Sequence, residues 1–170
     1  LSVTQAQAII LAFIAPITQV ENLDIFTALG RVLASDICSP INVPAHDNSA
    51  MDGYAFQGTI LDQSSPLTLR VIGSALAGHP FTGTVQADEC VRIMTGAVMP
   101  HGCDTVAPQE LCSEFFDRCG SDTKISIDAN KFKLGDNRRF KGEDLALESI
   151  ALEKGKIIQP ADLGLIASLG

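Results

Sequence analysis

The first seventeen positions of the chain place large apolar residues at the spacing of one helical face. These residues are Ile9, Ile10, Phe13, Ile14 and Ile17. The pattern predicts a helix, and Ser2 or Thr4 is available to cap it. The apolar run from Ala8 to Ile17 is too short to cross a membrane, and no basic stretch precedes it as in a secretory signal. The sequence therefore predicts a cytoplasmic protein with no membrane partner.

Beyond this segment the apolar stretches become short and suggest strands. "NLDIF" predicts a short strand, and "TALGRVLAS" predicts a brief helical turn that Asp24 or Thr27 caps and Gly30 interrupts. From residue 54 to about residue 130 the apolar stretches are separated by Gly, Pro, Ser and Asp. They are "YAFQ", "LTLRVIGSAL", "GTVQADECVRIM", "DTVAPQEL" and "KISID". Frequent short strands between turn residues are typical of a small barrel or sandwich.

The last 22 residues predict a hairpin and a closing helix. In "SIALEKGKIIQ", Lys154 and Gly155 are suited to the turn of a hairpin. In "PADLGLIASLG", Pro160 suits the first position of a helix and Gly170 its end. Helical ends around a strand-rich middle predict an α+β, β-rich fold with a small barrel-like part.

Composition limits the class of partner. The 170 residues include 46% apolar residues and carry a net charge of -8. Nucleic-acid binding relies on clustered Lys and Arg, so this charge argues against a nucleic-acid partner. The five cysteines are scattered and contain no Cys-x-x-Cys pair. Reduced thiols are therefore expected rather than a disulfide framework or a structural zinc site.

The first of three polar clusters is "DNSAMDGYA", residues 47 to 55. Asp47 and Asp52 are suited to hold a hydrated magnesium ion or to orient a water, because hard cations prefer carboxylate oxygens. The alternative is a loop in which Asp, Asn and Ser satisfy their own backbone amides around an Asp-Gly turn. Spacing alone leaves both interpretations open.

The second cluster, "RIMTGAVMPHGCDTVAPQE", spans residues 92 to 110. A Thr95 hydroxyl followed by Gly96 allows close approach of an anion or a metal-bound phosphate, with Asp104 and Glu110 further on. It is not a P-loop, because no Gly-Lys-Ser or Gly-Lys-Thr follows. A strand that simply leaves its sheet is the alternative.

The third cluster, "DNRRFKGEDL", spans residues 136 to 145. Arg138, Arg139 and Lys141 offer groups for phosphate, and Glu143 and Asp144 offer groups for a cation or a water. The alternative is a solvated turn with local ion pairs. The three histidines lie in loop-like contexts, and none is assigned a catalytic role.

Together these stretches resemble a known family. "VPAHDNSAMDGYA", "RIMTGAVMPHGCDTV" and "NRRFKGED", in this order, resemble the N-terminal part of the molybdopterin molybdenumtransferase (MoeA-like) family, which includes the E domain of gephyrin. "TALGRVLASDICSPINVP" and "PADLGLIASLG" are also similar to that family. The resemblance covers essentially the whole chain.

The resemblance implies an activity and a set of residues. The implied reaction inserts molybdenum from molybdate into adenylylated molybdopterin and releases AMP with the help of magnesium. Asp52, Thr95 and Asp144 fall on family positions tied to catalysis, with Asp52 and Asp144 as implied magnesium ligands. Ser49, Gly96 and Arg139 are the implied substrate-binding residues. The supporting residues are Asp47, Asn48 and Glu143.

The resemblance also implies how the domains are arranged. Residues 1–19 form a helix that packs on a molybdopterin-binding domain in relatives, residues 20–45 and 144–170 form an α+β linker domain, and residues 46–143 form the inserted β-rich domain. We expect the chain to be an N-terminal fragment that is inactive alone, and the full-length protein to be a homodimer. The exposed first helix or residues 160–169 are expected to mediate self-association.

Two alternatives to the enzyme remain open. The first is a non-catalytic binding or assembly module, since the E domain of gephyrin also anchors receptor tails. The second is an ordinary β-barrel whose polar loops only close turns.

Overall fold

The computed structural model describes residues 1–62, 65–116 and 122–170 and divides into two compact units. The smaller unit contains Leu1–Ile37 and Leu152–Gly170, and the larger contains Cys38–Ala151. Strands β1 (Ile37–Cys38) and β10 (Ile150–Leu152) pair in a two-stranded sheet. The division into domains at residues 19, 45 and 143 stays a prediction.

In the smaller unit, helix α1 spans Val3–Ala12 and is shorter than the apolar pattern suggests. Ser2 is the cap: its hydroxyl accepts from the Gln5 amide while the Gln5 side chain accepts from the Ser2 amide. No residue of α1 is buried, and Phe13, which follows it, is 86% exposed. The apolar face of α1 is therefore uncovered within this unit.

The segment "NLDIF" is not a strand. Ile25–Thr27 form a 3₁₀ turn, and the Asp24 side chain accepts a hydrogen bond from the Phe26 amide. Capping by Asp24 closes the backbone on itself before a ladder can form, which explains why the strand prediction is wrong.

The predicted hairpin at Lys154 and Gly155 is also wrong. The residues after this turn bond to residues 30–33 instead: the Leu33 amide donates to Lys156 and the Ile158 amide donates to Arg31. Helix α2 spans Pro160–Leu169, with Pro160 in its first turn as predicted. Within the described residues, no helix has both the length and the apolarity needed to cross a membrane.

The larger unit is built on a six-stranded sheet in the order β6-β3-β5-β4-β8-β7. Its strands are β3 (Gly53–Phe56), β4 (Leu67–Ala75), β5 (Glu89–Ile93), β6 (Thr105–Pro108), β7 (Cys112–Phe116) and β8 (Thr123–Ile127). All neighbours are antiparallel except β4 and β5, which are parallel with an irregularity between Val71 and Ser74. A separate pair is formed by β2 (Asn48–Ser49) and β9 (Arg138–Arg139).

The central strand β3 is buried on both faces of the curled sheet, between two apolar clusters. Tyr54, Phe56 and Cys90 belong to one apolar cluster, and Ala55 and Val91 belong to the other. The curl also brings β7 near β3, where the Tyr54 hydroxyl donates to Glu114 over 3.0 Å. The predicted α+β, β-rich class with a barrel-like part is confirmed. Strand β7 has no counterpart among the predicted strands.

Candidate functional site

The three polar clusters meet at the two-residue strand β2 in the larger unit. On one side, Asn48 and Ser49 pair with Arg139 and Arg138 of β9. On the other, the Ser49 amide donates to the Ala97 carbonyl over 3.0 Å, and the Gly96 amide donates to the Ser49 carbonyl over 2.8 Å. The first cluster therefore lies between the second and the third, although these three segments are far apart along the chain.

Asp52 and Thr95 are in direct contact. The Thr95 amide and the Thr95 hydroxyl both donate to Oδ1 of Asp52, each over 2.7 Å. These two donors, the backbone amide first, hold the pKa of Asp52 below its ordinary value of 3.8. The carboxylate is thus ionised and oriented, and no described residue donates a hydrogen bond to its Oδ2.

The glycine of the Asp52-Gly53 pair is required by the close packing of two strands. A Cβ atom at Gly53 would lie 2.0 Å from the carbonyl oxygen of Ala107 on the neighbouring strand β6. Only glycine permits this close approach of the two backbones. The Asp52 carbonyl, next to it, accepts from the Gln109 amide over 3.0 Å. The backbone that presents Asp52 is therefore fixed against β6 and the residue that follows it.

Asp47 joins the first cluster to the third. Its Oδ1 accepts from the Lys141 amide over 2.7 Å, and its Oδ2 accepts from Nε of Arg138 over 3.1 Å and from Nη2 of the same residue. The Lys141 amide, followed by Arg138, holds the pKa of Asp47 below 3.8. The Arg138 guanidinium lies 4.9 Å from the centre of the Phe140 ring, which further restricts it. Asp47 therefore connects the first cluster to the third and fixes the Arg138 side chain and the Lys141 backbone.

Arg139 is occupied by two carboxylates of its own cluster. Its Nε donates to Glu143 over 2.6 Å, and its Nη2 donates to Asp144 over 2.5 Å. These contacts, Asp144 first, raise the pKa of Arg139 above its ordinary value. The pKa of Glu143 is lowered, mainly because it also accepts from the Phe140 amide. No described hydrogen bond or ion pair joins this set to Asp52.

The remaining predicted residues lie inside the junction. Ser49 is 1% exposed, and its hydroxyl donates to the Met51 carbonyl over 2.6 Å. Gly96 adopts a left-handed φ of 79°, which permits its turn between Thr95 and Ala97. Asn48 has a buried Oδ1 with no described partner. The structure thus places Ser49, Gly96 and Asn48 as parts of the loop framework, and their roles toward a substrate stay predictions.

The donor set for a metal ion is small. Within residues 1–62, 65–116 and 122–170, no group of three or more His, Cys, Asp or Glu side chains is arranged to hold a metal. Magnesium, however, keeps several waters and is often bound by one or two carboxylates together with substrate phosphates. Oδ2 of Asp52 fits that limited requirement. Asp144 uses one oxygen for Arg139 and retains the other.

Arg138 and Asn137 make structural contacts that the sequence alone did not predict. Arg138 holds Asp47, and Asn137 adopts a φ of 58° while its side chain donates to the Val106 carbonyl over 2.9 Å. A signal for Asn137 existed, because Asn tolerates the left-handed region better than most residues. The partner of Arg138 lies 91 residues away, so no local pattern reveals it.

This strand-rich fold is shared with solved structures of a family of molybdopterin biosynthesis proteins. The chain belongs to that family: the model for the MoeA N-terminal region (domain I and II) matches residues 1–170. The resemblance seen in the sequence is thereby confirmed.

Individual relatives agree with this assignment. The molybdopterin molybdenumtransferase of Haemophilus influenzae is 42% identical over 170 residues, covering 100% of this chain and 40% of the relative. The enzyme of that name from Bacillus subtilis is 34% identical over 146 residues, covering 84% of this chain and 33% of the relative. The crystal structure of the molybdopterin biosynthesis MoeA protein from Pyrococcus horikoshii matches with a TM-score of 0.84 and 30% identity, over 98% of this chain and 43% of that one. The chain spans less than half the length of each of these relatives.

Proposed function

We propose that this chain forms the N-terminal part of an enzyme that inserts molybdenum from molybdate into adenylylated molybdopterin and releases AMP. Two relatives that carry the name molybdopterin molybdenumtransferase support this activity. The observation that carries the proposal to particular residues is the Asp52–Thr95 pair, because it holds an ionised carboxylate where the first and second clusters meet.

In this proposal Asp52 and Thr95 work as one unit. Thr95 fixes Oδ1 of Asp52 with two hydrogen bonds, and Oδ2 faces the reaction as a ligand for a cation or an acceptor for a water. The Thr95 hydroxyl has a single hydrogen, which Asp52 already receives. We therefore assign Thr95 to positioning Asp52, in place of direct hydrogen bonding to an oxyanion.

Magnesium is the proposed cation, with Oδ2 of Asp52 as its ligand from this loop. When bound, it would neutralise the charge that develops as the phosphoanhydride is split. Asp144 is the second proposed ligand, and Glu143 then retains Arg139 in place. An ionised carboxylate is required for this, and the Thr95 amide, followed by the Thr95 hydroxyl, lowers the pKa of Asp52.

The experiment compares Asp52→Asn with the wild type in the complete protein. The introduced asparagine keeps an acceptor for both Thr95 donors but loses the charge, so the loop is retained. We expect molybdate-dependent AMP release to fall by about a hundredfold or more, as when one preorganised charged group is lost. Asp88→Asn is the matched control, because Asp88 is exposed and its side chain makes no hydrogen bond to a described residue. Equal rates in the wild type and Asp52→Asn would remove Asp52 from the mechanism.

We also propose that the complete enzyme is a homodimer in the cytoplasm. Ile10, Leu11 and Phe13 in and after α1 are 61%, 67% and 86% exposed, and apolar surface of this kind usually has a partner. The four cysteines of the described residues are free thiols, which suits a reducing compartment. Light scattering of this chain should show self-association that Phe13→Ser weakens, and light scattering of the complete protein should show a dimer. A monomer at every concentration would contradict the dimer.

A further inference from the structure

Among the arginines that the structure describes, Arg92 is the one for which no acidic partner is described. Arg31 pairs with Glu21, Arg70 with Glu89, Arg138 with Asp47, and Arg139 with Glu143 and Asp144. Arg92 is exposed and forms no ion pair with any residue in 1–62, 65–116 or 122–170. In a chain with a net charge of -8, an arginine left without a carboxylate is available to an external anion.

The sheet places Arg92 beside the Asp52–Thr95 pair. Arg92 lies on β5 directly opposite Tyr54 of β3, which is two residues after Asp52, and Arg92 itself is three residues before Thr95. The Thr95 amide is the main cause of the lowered pKa of Asp52, and the Arg92 charge adds to it; burial raises the pKa of Tyr54 to about 12, and the Arg92 charge partly opposes that rise. The site thus has a fixed carboxylate and, on the neighbouring strand β5, a guanidinium that pairs with no carboxylate of the described residues.

The hydrogen-bond donors of the Thr95 loop and of Arg139 are already used. The Thr95 amide and hydroxyl donate to Asp52, the Gly96 amide to Ser49, and the Ala97 amide to Met94. Arg139, for which the sequence predicted an anion, donates to two carboxylates. An anion that reaches the Asp52–Thr95 pair therefore finds its available donors on Arg92.

We propose that Arg92 binds a tetrahedral oxyanion beside Asp52, as a substrate-binding residue of the proposed molybdenum insertion. A guanidinium presents paired N–H donors that match two oxygens of such an anion. A cation held by Oδ2 of Asp52 would then lie next to the anion that Arg92 holds. Two sources share this chemistry, molybdate and the phosphate of the nucleotide, and the inference rests on the proposed function for both.

The experiment measures anion binding directly. Equilibrium dialysis of the complete protein at fixed ionic strength gives the dissociation constants of molybdate and of AMP in separate arms. We expect Arg92→Gln to raise the dissociation constant of one of the two anions by about ten- to a hundredfold, because charge-assisted hydrogen bonds are lost. Arg92→Lys should lie between, because it keeps the charge without the paired donors. The anion whose dissociation constant rises is the one that Arg92 binds.

Arg70→Gln is the matched control. Arg70 lies on β4 of the same sheet, is also partly exposed, and loses the same charge on substitution, but it is paired with Glu89. The substitution should leave both dissociation constants within about twofold of the wild type, as expected for a distant, screened surface charge. Circular dichroism and melting temperature establish that each variant is folded.

Three results would overturn the inference. They are equal weakening by Arg92→Gln and Arg70→Gln, unchanged affinities in Arg92→Gln, and loss of binding in Arg139→Gln alone. The proposed function fails separately, because it requires molybdate-dependent AMP release by the wild type. Normal AMP release together with unchanged anion affinity in Arg92→Gln would reject the role of Arg92 but not the proposed activity. Anion binding that depends on Arg92, without any AMP release by the wild type, would support the anion site and reject the proposed activity.

Discussion

The hydrogen bonds that Asp47 accepts from Arg138 and Lys141 predict a measurable loss of stability in Asp47→Asn. The substitution keeps the size of the side chain but places an amide against the Arg138 guanidinium, where two carboxylate contacts existed. Charge-assisted hydrogen bonds contribute about 1.5–3 kcal/mol when buried. The Asp47 side chain is 31% exposed, so solvent screening reduces this value. We expect the free energy of unfolding to fall by about 1–2 kcal/mol, or the melting temperature by about 2–8 °C.

The pH dependence of this loss gives a second check. The folded-state pKa of Asp47 lies below 3.8, so the unfolded chain binds the proton more readily. The stabilisation is therefore fully present above about pH 4 and is lost as the pH falls through the folded-state pKa. Urea unfolding followed by circular dichroism at pH 7 and at pH 2.5 should show the gap between wild type and variant shrink at the lower pH. Asp88→Asn, as control, should unfold like the wild type at both. A difference in unfolding free energy between wild type and Asp47→Asn that is absent at pH 7, or that is larger at pH 2.5, would refute this stabilising role of Asp47.

The remaining predictions concern backbone fit, positioning and thiol reactivity. Gly53→Ala should lower the free energy of unfolding by about 1–3 kcal/mol or more, because its Cβ would lie 2.0 Å from the Ala107 oxygen; Gly164→Ala, with no atom within 4 Å in helix α2, should be neutral or stabilising by about 0.5–1 kcal/mol in the same urea titration. Thr95→Ser should retain AMP release and Thr95→Val should lower it, since only serine keeps the hydroxyl donor; equal rates would contradict the positioning role. Cys38 is exposed, whereas burial raises the pKa of Cys90 to about 12, so thiol labelling followed by peptide mass spectrometry at pH 8 should modify Cys38 long before Cys90. Labelling of both at one rate would count against the buried core.

The parts of the fold that sequence predicts are those with local causes. Helix α1 has Ser2 and Gln5 at capping distance, and α2 begins at Pro160, so both are visible from nearby residues. The strand prediction at "NLDIF" failed because an Asp24 side chain competes for the Phe26 amide. Residues after Lys154 pair with a segment more than a hundred residues earlier, which no local turn pattern reveals.

The candidate site shows the same division. The three motifs were recognisable as strings of residues, but their junction depends on β2, a strand of only two residues. Asn48 and Ser49 have no strand pattern of their own and are held by partners on both sides. The pairing of Arg139 with Glu143 is an i,i+4 contact that sequence can suggest, whereas Arg138 with Asp47 is not. The free state of Arg92 within the described residues follows only from the whole set of ion pairs.

The most direct test of the account is a double-mutant cycle on Asp52 and Thr95. The rates of molybdate-dependent AMP release are measured for the wild type, Asp52→Asn, Thr95→Val and the double variant of the complete protein. Because Thr95 serves to hold the charge of Asp52, its hydroxyl has nothing left to contribute once that charge is gone. The double variant should therefore release AMP at the rate of Asp52→Asn alone. Losses that multiply would show that the two residues act independently and would contradict the account.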